Sequence, residues 1–135
     1  CSGKKIGGEG VEHLVSSNYL EKVEKLDLRY NEITDVGAEL LAKVSPLPKL
    51  KSLILRHNIL GDAGTKALAK SFSFPNLEEM QLGWTETRDA GALAFGSSGG
   101  FKKLKMLDLR GNFISNKTKE ELRKSLGHLK TLKLF

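Results

Sequence analysis

The chain repeats itself every 27 residues, and this periodicity limits the folds open to it more than any other property. Asn31, Asn58, Thr85 and Asn112 fall on successive steps of the repeat. Around them the sequence aligns with itself. Val23, Leu26, Leu28 and Ile33 form one line, and Leu50, Leu53, Leu55 and Leu60 the next. Leu77, Met80, Leu82 and Thr87 follow, then Leu104, Leu107, Leu109 and Ile114. A shortened line, Leu129, Leu132 and Leu134, closes the chain. A unit of this length is one supersecondary element that cannot bury its apolar face alone, so neighbouring units must stack.

The apolar spacing within a unit gives its local structure. Leu-x-Leu is a period of two, which places both leucines on one face of a short strand. One strand per unit, stacked in register, makes a parallel sheet with a buried face. The spacing predicts strands near 26–29, 53–56, 80–83, 107–110 and 132–134. Helices are expected near 36–44, 63–71, 90–96 and 117–126, with Leu41, Leu68, Phe95 and Leu122 facing inward. Asp35-Val36-Gly37, Asp62-Ala63-Gly64 and Asp89-Ala90-Gly91 open three of these helices. Each Asp is expected to N-cap its helix, and each Gly to let the helix lie close to the sheet. The Asn column is expected to bond to loop backbone that no sheet partner reaches.

These residues carry a family resemblance. The lines resemble the leucine-rich repeat, L-x-x-L-x-L-x-x-N-x-L. The Asp-x-Gly helical half resembles the subtype found in the ribonuclease inhibitor and in the activating protein of the Ran GTPase. The resemblance spans nearly the whole chain. It implies an α/β fold, a leucine-rich-repeat β/α solenoid forming a segment of a horseshoe. The parallel sheet would line the concave face and the helices the convex face. It also implies a module that binds a protein partner, with GTPase activation or regulation as an alternative. The acidic character of the Ran activator differs from the net charge of +6 here, and no residue carries over as its functional asparagine.

A single domain over 1–135 is expected, with a partial repeat 1–22, repeats 23–49, 50–76, 77–103 and 104–128, and a partial repeat 129–135. Ile6, Gly10 and Leu14 lie one period before Ile33, Gly37 and Leu41, so the chain opens in mid-repeat. Cys1 then shares the column of Leu28, which favours a small buried hydrophobe over a lipid-bearing cysteine. No polar cap is seen at the N-terminus, and the chain ends on a strand at Leu134 and Phe135. An excised piece of a longer solenoid, or a spacer within one, is the expectation these ends suggest.

Composition narrows the function classes. At 135 residues, 39% hydrophobic and 28% charged, the chain is an ordinary single globular domain. No apolar run has the length a membrane-spanning helix needs, and the start shows no secretory pattern. One cysteine excludes an internal disulfide and fits a reducing compartment, so an intracellular, cytoplasmic location is expected. Its scattered histidines, His13, His57 and His128, offer no metal-ligand spacing, and no cofactor is implied. Gly96-Ser97-Ser98-Gly99-Gly100 lacks the following Lys-Ser/Thr of a phosphate-cradling loop. Ser52, His57 and Asp27 share one sheet face, which is too weak a constellation for a nucleophilic enzyme.

The residues between the leucines point away from the helices and form columns. One is Lys25, Ser52, Glu79, Met106 and Thr131; the next is Asp27, Ile54, Gln81, Asp108 and Lys133. Then come Arg29, Arg56, Gly83, Arg110 and Phe135, and finally Tyr30, His57, Trp84 and Gly111. The candidate partner-binding residues are Arg29, Tyr30, Arg56, His57, Trp84 and Arg110. Arg, Tyr and Trp supply most binding hot spots, and arginine grips a carboxylate or phosphate with two parallel bonds. Gly83 is expected to leave a gap that a partner side chain could enter. A second reading of the same columns is structural: arginines pair with Asp27 or Asp108, and stacked rings stiffen the sheet.

Charge has a pattern of its own. Lys22, Lys25, Lys49, Lys51, Lys102, Lys103, Lys105, Lys130 and Lys133 crowd the rim where the strands begin. Glu32, Asp35, Asp62, Glu86 and Asp89 crowd the rim where they end. The lysine rim reads as a solubilising edge or as attraction for an acidic protein partner. Few rings interleave the lysines, which disfavours single-stranded nucleic acid. A monomer is expected, with end-to-end stacking through the open sheet edges as the other option. The third unit departs from its neighbours at Thr85 and Thr87, either by drift in a tolerant loop or because the unit is relaxed to present Trp84.

Overall fold

The alternating leucines produce a single parallel sheet. In the computed structural model, which describes residues 3 and 7–135, five strands lie side by side in chain order. They are β1 (Lys25–Asp27), β2 (Ser52–Ile54), β3 (Glu79–Gln81), β4 (Met106–Asp108) and β5 (Thr131–Lys133). Leu26, Leu53, Met80, Leu107 and Leu132 pair in one row across the sheet, so the 27-residue step is also the pairing register of the first four strands, and the last step is 25 residues. Cys1 and Ile6 lie outside the described residues.

The strands are short and begin a residue earlier than the leucine spacing suggested. Hydrogen bonding between repeats nevertheless continues past them. Leu28 N–H donates to Ile54 O at 2.8 Å and Tyr30 N–H to Arg56 O at 3.3 Å. Tyr30 then takes a positive φ of 55° and turns the chain out of the sheet. His57, Trp84 and Gly111 do the same at 58°, 52° and 73°.

Helices α1 (Gly7–Val15), α2 (Asp35–Ala42), α3 (Gly61–Ala69), α4 (Asp89–Leu93) and α5 (Asn116–Ser125) alternate with the strands. Helix α1 precedes the first strand and packs against α2. Helix α4 gives way to a 3-10 turn, Ala94–Ser97, where the glycine- and serine-rich run begins. Leu41, Leu68, Phe95 and Leu122 are buried between helices and sheet, as their spacing required. Phe74 and Phe101 add a second aromatic layer near Phe95, with Phe101 6.5 Å from Phe74 and 6.0 Å from Phe95 between ring centroids.

The Asn column serves the loop backbone. Asn58 Oδ1 accepts from Asn31 N–H (3.1 Å) and Ile33 N–H (2.9 Å), and its amide donates to Leu28 O and Leu55 O, both at 2.9 Å. Asn112 repeats the pattern toward Thr85, Thr87, Leu82 and Leu109. The third unit is not relaxed. Thr85 and Thr87 are fully buried, and Thr85 Oγ1 donates to Leu82 O at 2.8 Å. Thr87 Oγ1 lies 2.9 Å from Thr85 Oγ1 and 2.6 Å from Thr65 Oγ1. A hydroxyl has one proton, so Thr87 donates to Thr85 and Thr65 donates to Thr87. The Thr85 bond to Leu82 O corresponds to the bonds Asn58 and Asn112 make to Leu55 O and Leu109 O.

The Asp-x-Gly triplets work across repeats, which corrects the expectation that each Asp caps its own helix. Asp62 Oδ1 accepts from Arg88 N–H (2.8 Å) and Gly91 N–H (2.9 Å), which belong to the start of α4. Asp89 Oδ1 accepts from Ser115 N–H at 2.7 Å, before α5. That backbone bond is the leading reason the Asp89 carboxyl is held below its ordinary range. The glycine answers the preceding unit, not the sheet. A Cβ on Gly91 would stand 2.7 Å from Asp62 Oδ1, and one on Gly64 would stand 3.1 Å from Asp35 Cα.

Candidate functional site

The tight turns after the strands fix the ring column. Each ring-bearing residue keeps its backbone N–H tied to the next repeat while φ is positive: His57 N–H donates to Gly83 O (3.1 Å) and Trp84 N–H to Arg110 O (2.9 Å). Left-handed backbone costs a non-glycine residue roughly 1–2 kcal/mol, yet three successive repeats carry it. The result is a stack with one ring per strand. Tyr30 and His57 lie 4.4 Å apart and His57 and Trp84 5.1 Å, each pair within 7° of parallel. These distances match the strand spacing of about 4.8 Å. Tyr30 is 54% exposed and Trp84 44%, so the stack is not part of the core. Gly111 ends it: a Cβ there would stand 2.5 Å from Trp84 Cδ1 and closer still to its neighbours in the ring.

The arginine column divides into paired and unpaired members. Arg29 Nε and Nη2 grip Asp27, at 3.0 Å to Oδ1 and 2.8 Å to Oδ2. Arg110 grips Asp108 with the same two distances. Burial raises the pKa of each aspartate, but bonds from the arginine side chain and backbone outweigh it, so both carboxyls sit below their ordinary range. Hydrogen bonding to the carboxylates raises both guanidinium pKa values in turn. Arg56 has no such partner. Ile54 stands where the aspartates stand in β1 and β4, and it is buried. The Arg56 Nε is buried and bonds to nothing among the described residues.

The six candidate residues therefore share one face, but Arg29 and Arg110 are already neutralised by neighbours. The gap expected at Gly83 is filled: a Cβ there would lie 3.7 Å from Arg56 Cγ and Cδ, so the arginine stem crosses it. The Ser-His-Asp constellation does not assemble. His57 is sandwiched between rings, Asp27 is held by Arg29, and Ser52 Oγ lies 3.5 Å from Glu79. Among the described residues no cluster of histidine, cysteine and carboxylate groups is close enough to hold a metal. No helix described is long and apolar enough to cross a membrane.

The lysines of the rim are all exposed; Lys51 reaches Glu24 at 3.9 Å and Lys105 reaches Glu78 at 3.2 Å. Such exposed pairs contribute about 0–1 kcal/mol. Sequence reasoning missed a cleft of about 410 Å³ on the opposite rim, lined by Asp35, Asp62, Glu86, Arg88, Ile59 and Phe113. Ile59 and Phe113 are exposed there, and Arg88 lies 5.2 Å over the Phe113 ring. A signal existed. The residue after the Asn column alternates Glu32, Ile59, Glu86, Phe113. The glutamates take φ of 57° and 59°, whereas Ile59 and Phe113 form bridges to Thr34 and Arg88.

The fold and this geometry define an α/β solenoid with an open sheet face. The sequence profile of the family described as Leucine Rich repeat matches residues 19–42 and 47–69. The matched stretches are two of the stacked units, and the five-stranded sheet carries the same strand-and-helix architecture through the units that follow. No curated protein matches it. Domains of this family are generally protein-interaction modules, typically without catalytic activity.

Proposed function

We propose that this chain binds a protein partner through the concave sheet face, with the ring stack and the arginine column as the contact surface. The observation that carries the reading is the half-exposed stack Tyr30–His57–Trp84, built at positive φ in three consecutive repeats. Strain retained at a solvent-facing position, where it adds nothing to the core, is what binding sites store. Rigid stacked rings lose little entropy on contact, and tyrosine and tryptophan are the commonest anchors. The exposed lysine rim speeds encounter with an acidic partner. The Asp-x-Gly triplets at the helix starts support the ribonuclease-inhibitor-like subtype by their resemblance to it, and no cofactor is needed for this function. The partner meets a solenoid that acts as a monomer in the cell interior.

Capture from a native lysate tests the reading. The wild-type chain is compared with Arg56→Ala plus Trp84→Ala, after both are shown to melt alike. A specific protein held by the first and lost by the second is expected. A partner retained equally by both would overturn the concave face as the site and turn attention to the lysine rim.

A further inference from the structure

The arginine column contains its own comparison. Three repeats place an arginine at the same register position, and two of them supply an aspartate two residues earlier that takes the guanidinium edge with paired bonds. The second repeat supplies Ile54 instead. Arg56 is held in place all the same, because its stem lies over Gly83, the one member of this column with no side chain. An arginine Nε that is buried and unmatched among the described residues is costly, since a cationic donor loses far more than a neutral one when it goes unpaired.

We propose that Arg56 is the anchor for a carboxylate of the partner protein, an Asp or Glu side chain that meets the outer Nη edge of the guanidinium, since Ile54 covers the Nε side that Asp27 takes at Arg29. This rests on the concave-face reading. The flanks favour a carboxylate over a phosphate. Arg29 and Arg110 are already neutralised by Asp27 and Asp108, so a group seated here meets one free guanidinium between two aspartates. A single negative charge is matched by the one unpaired guanidinium, and a second would have no cation of its own. The next residue, His57, is the middle of the ring stack, so the acid belongs beside a flat or apolar side chain of the partner.

The test uses a displayed library of random peptides selected on the wild-type chain. Peptides with one fixed acidic position are expected. Changing that acid to its amide should weaken binding about tenfold or more, the usual scale for a desolvated charge pair. Two variants should do the same. Ile54→Asp gives Arg56 the internal partner found in the other two repeats. Arg56→Met keeps the stem over Gly83 without the charge, and stands in should Ile54→Asp fail to fold. Peptides with no fixed acid, acidic peptides indifferent to both variants, or a clear preference for phosphoserine at the fixed position would each overturn the proposal. Peptides without an acid that are still lost with Trp84→Ala would overturn it while leaving the concave face in place. Peptides indifferent to Trp84→Ala as well, or a library with no binder, would remove both.

Discussion

Gly111→Ala separates a packed ring column from three side chains that happen to be parallel. Gly111 has φ of 73°, and its missing side chain is where the Trp84 indole rests. Alanine adds two costs. Left-handed backbone destabilises it by roughly 1–2 kcal/mol, partly offset by the lower freedom of the unfolded chain. The indole must also swing away, giving up a stacking contact with His57 worth about 0.5–1.5 kcal/mol. The expected loss is about 2 kcal/mol, or about 1 M in urea midpoint for a slope near 2 kcal/mol/M. Trp84 is the only tryptophan, so its emission reports the displacement directly and should move to the red in the folded protein. Gly61→Ala is the matched control. Gly61 has φ of 62°, but a Cβ there meets nothing within 4 Å. It should lose only the backbone share, about 1 kcal/mol, with emission unchanged. If the two variants lose the same stability and neither moves the emission, Trp84 does not pack on Gly111 and the stack is not a built element.

Three further outcomes follow from the cross-repeat bonds. Asp62→Ala should cost about 0.5–2 kcal/mol, and amide exchange should quicken at Arg88 and Gly91 in the next unit while α3 stays protected. Thr87→Val should cost about 1–3 kcal/mol by orphaning the Thr65 hydroxyl; adding Thr65→Val removes the orphan, so the double variant should be less destabilised than the two single effects added together. Asp108→Asn should cost about 1–2 kcal/mol at neutral pH, a modest figure because Arg110 is a third exposed. The folded-state pKa of Asp108 is depressed, so its contribution is whole above about pH 4 and fades as pH falls through the lower folded value. Melting curves of wild type and Asp108→Asn should therefore converge only in acid; a gap that persisted there would mean the charge is not what stabilises the pair.

The sheet, its register and the inward helix residues were legible because burial leaves a periodic mark in sequence: Leu26, Leu53, Met80 and Leu107 could not face elsewhere. The columns that hold the six candidate residues were also legible, since register alone brings residues one repeat apart together. What spacing could not give was pairing. Whether an arginine column is free or spent depends on the side chain two residues earlier, and Asp27, Ile54 and Asp108 separate the three cases only once rotamers are known. The same holds for Gly83, where the gap belongs to Arg56. The role of Asp62 was misassigned because its nearest orphan N–H groups in sequence are in its own helix, whereas the nearest in space are in the next unit.

Departures from the repeat pattern concentrate in the middle units, and they divide by face. On the inner side, Thr85 and Thr87 replace an asparagine and an aliphatic residue, and with Thr65 they form a chain of hydroxyls that ends on Leu82 O. Each hydroxyl of that chain has a partner within the fold. On the outer side, Ile54 replaces an aspartate and Gly83 an arginine, and nothing among the described residues restores the bond this takes from Arg56. A solenoid tolerates an unmatched cation at its centre at a cost to its own stability. Sites shaped by stability alone are completed as the threonine chain is completed. An uncompleted one, flanked by a half-exposed ring stack, is the place our proposal gives to the partner's carboxylate.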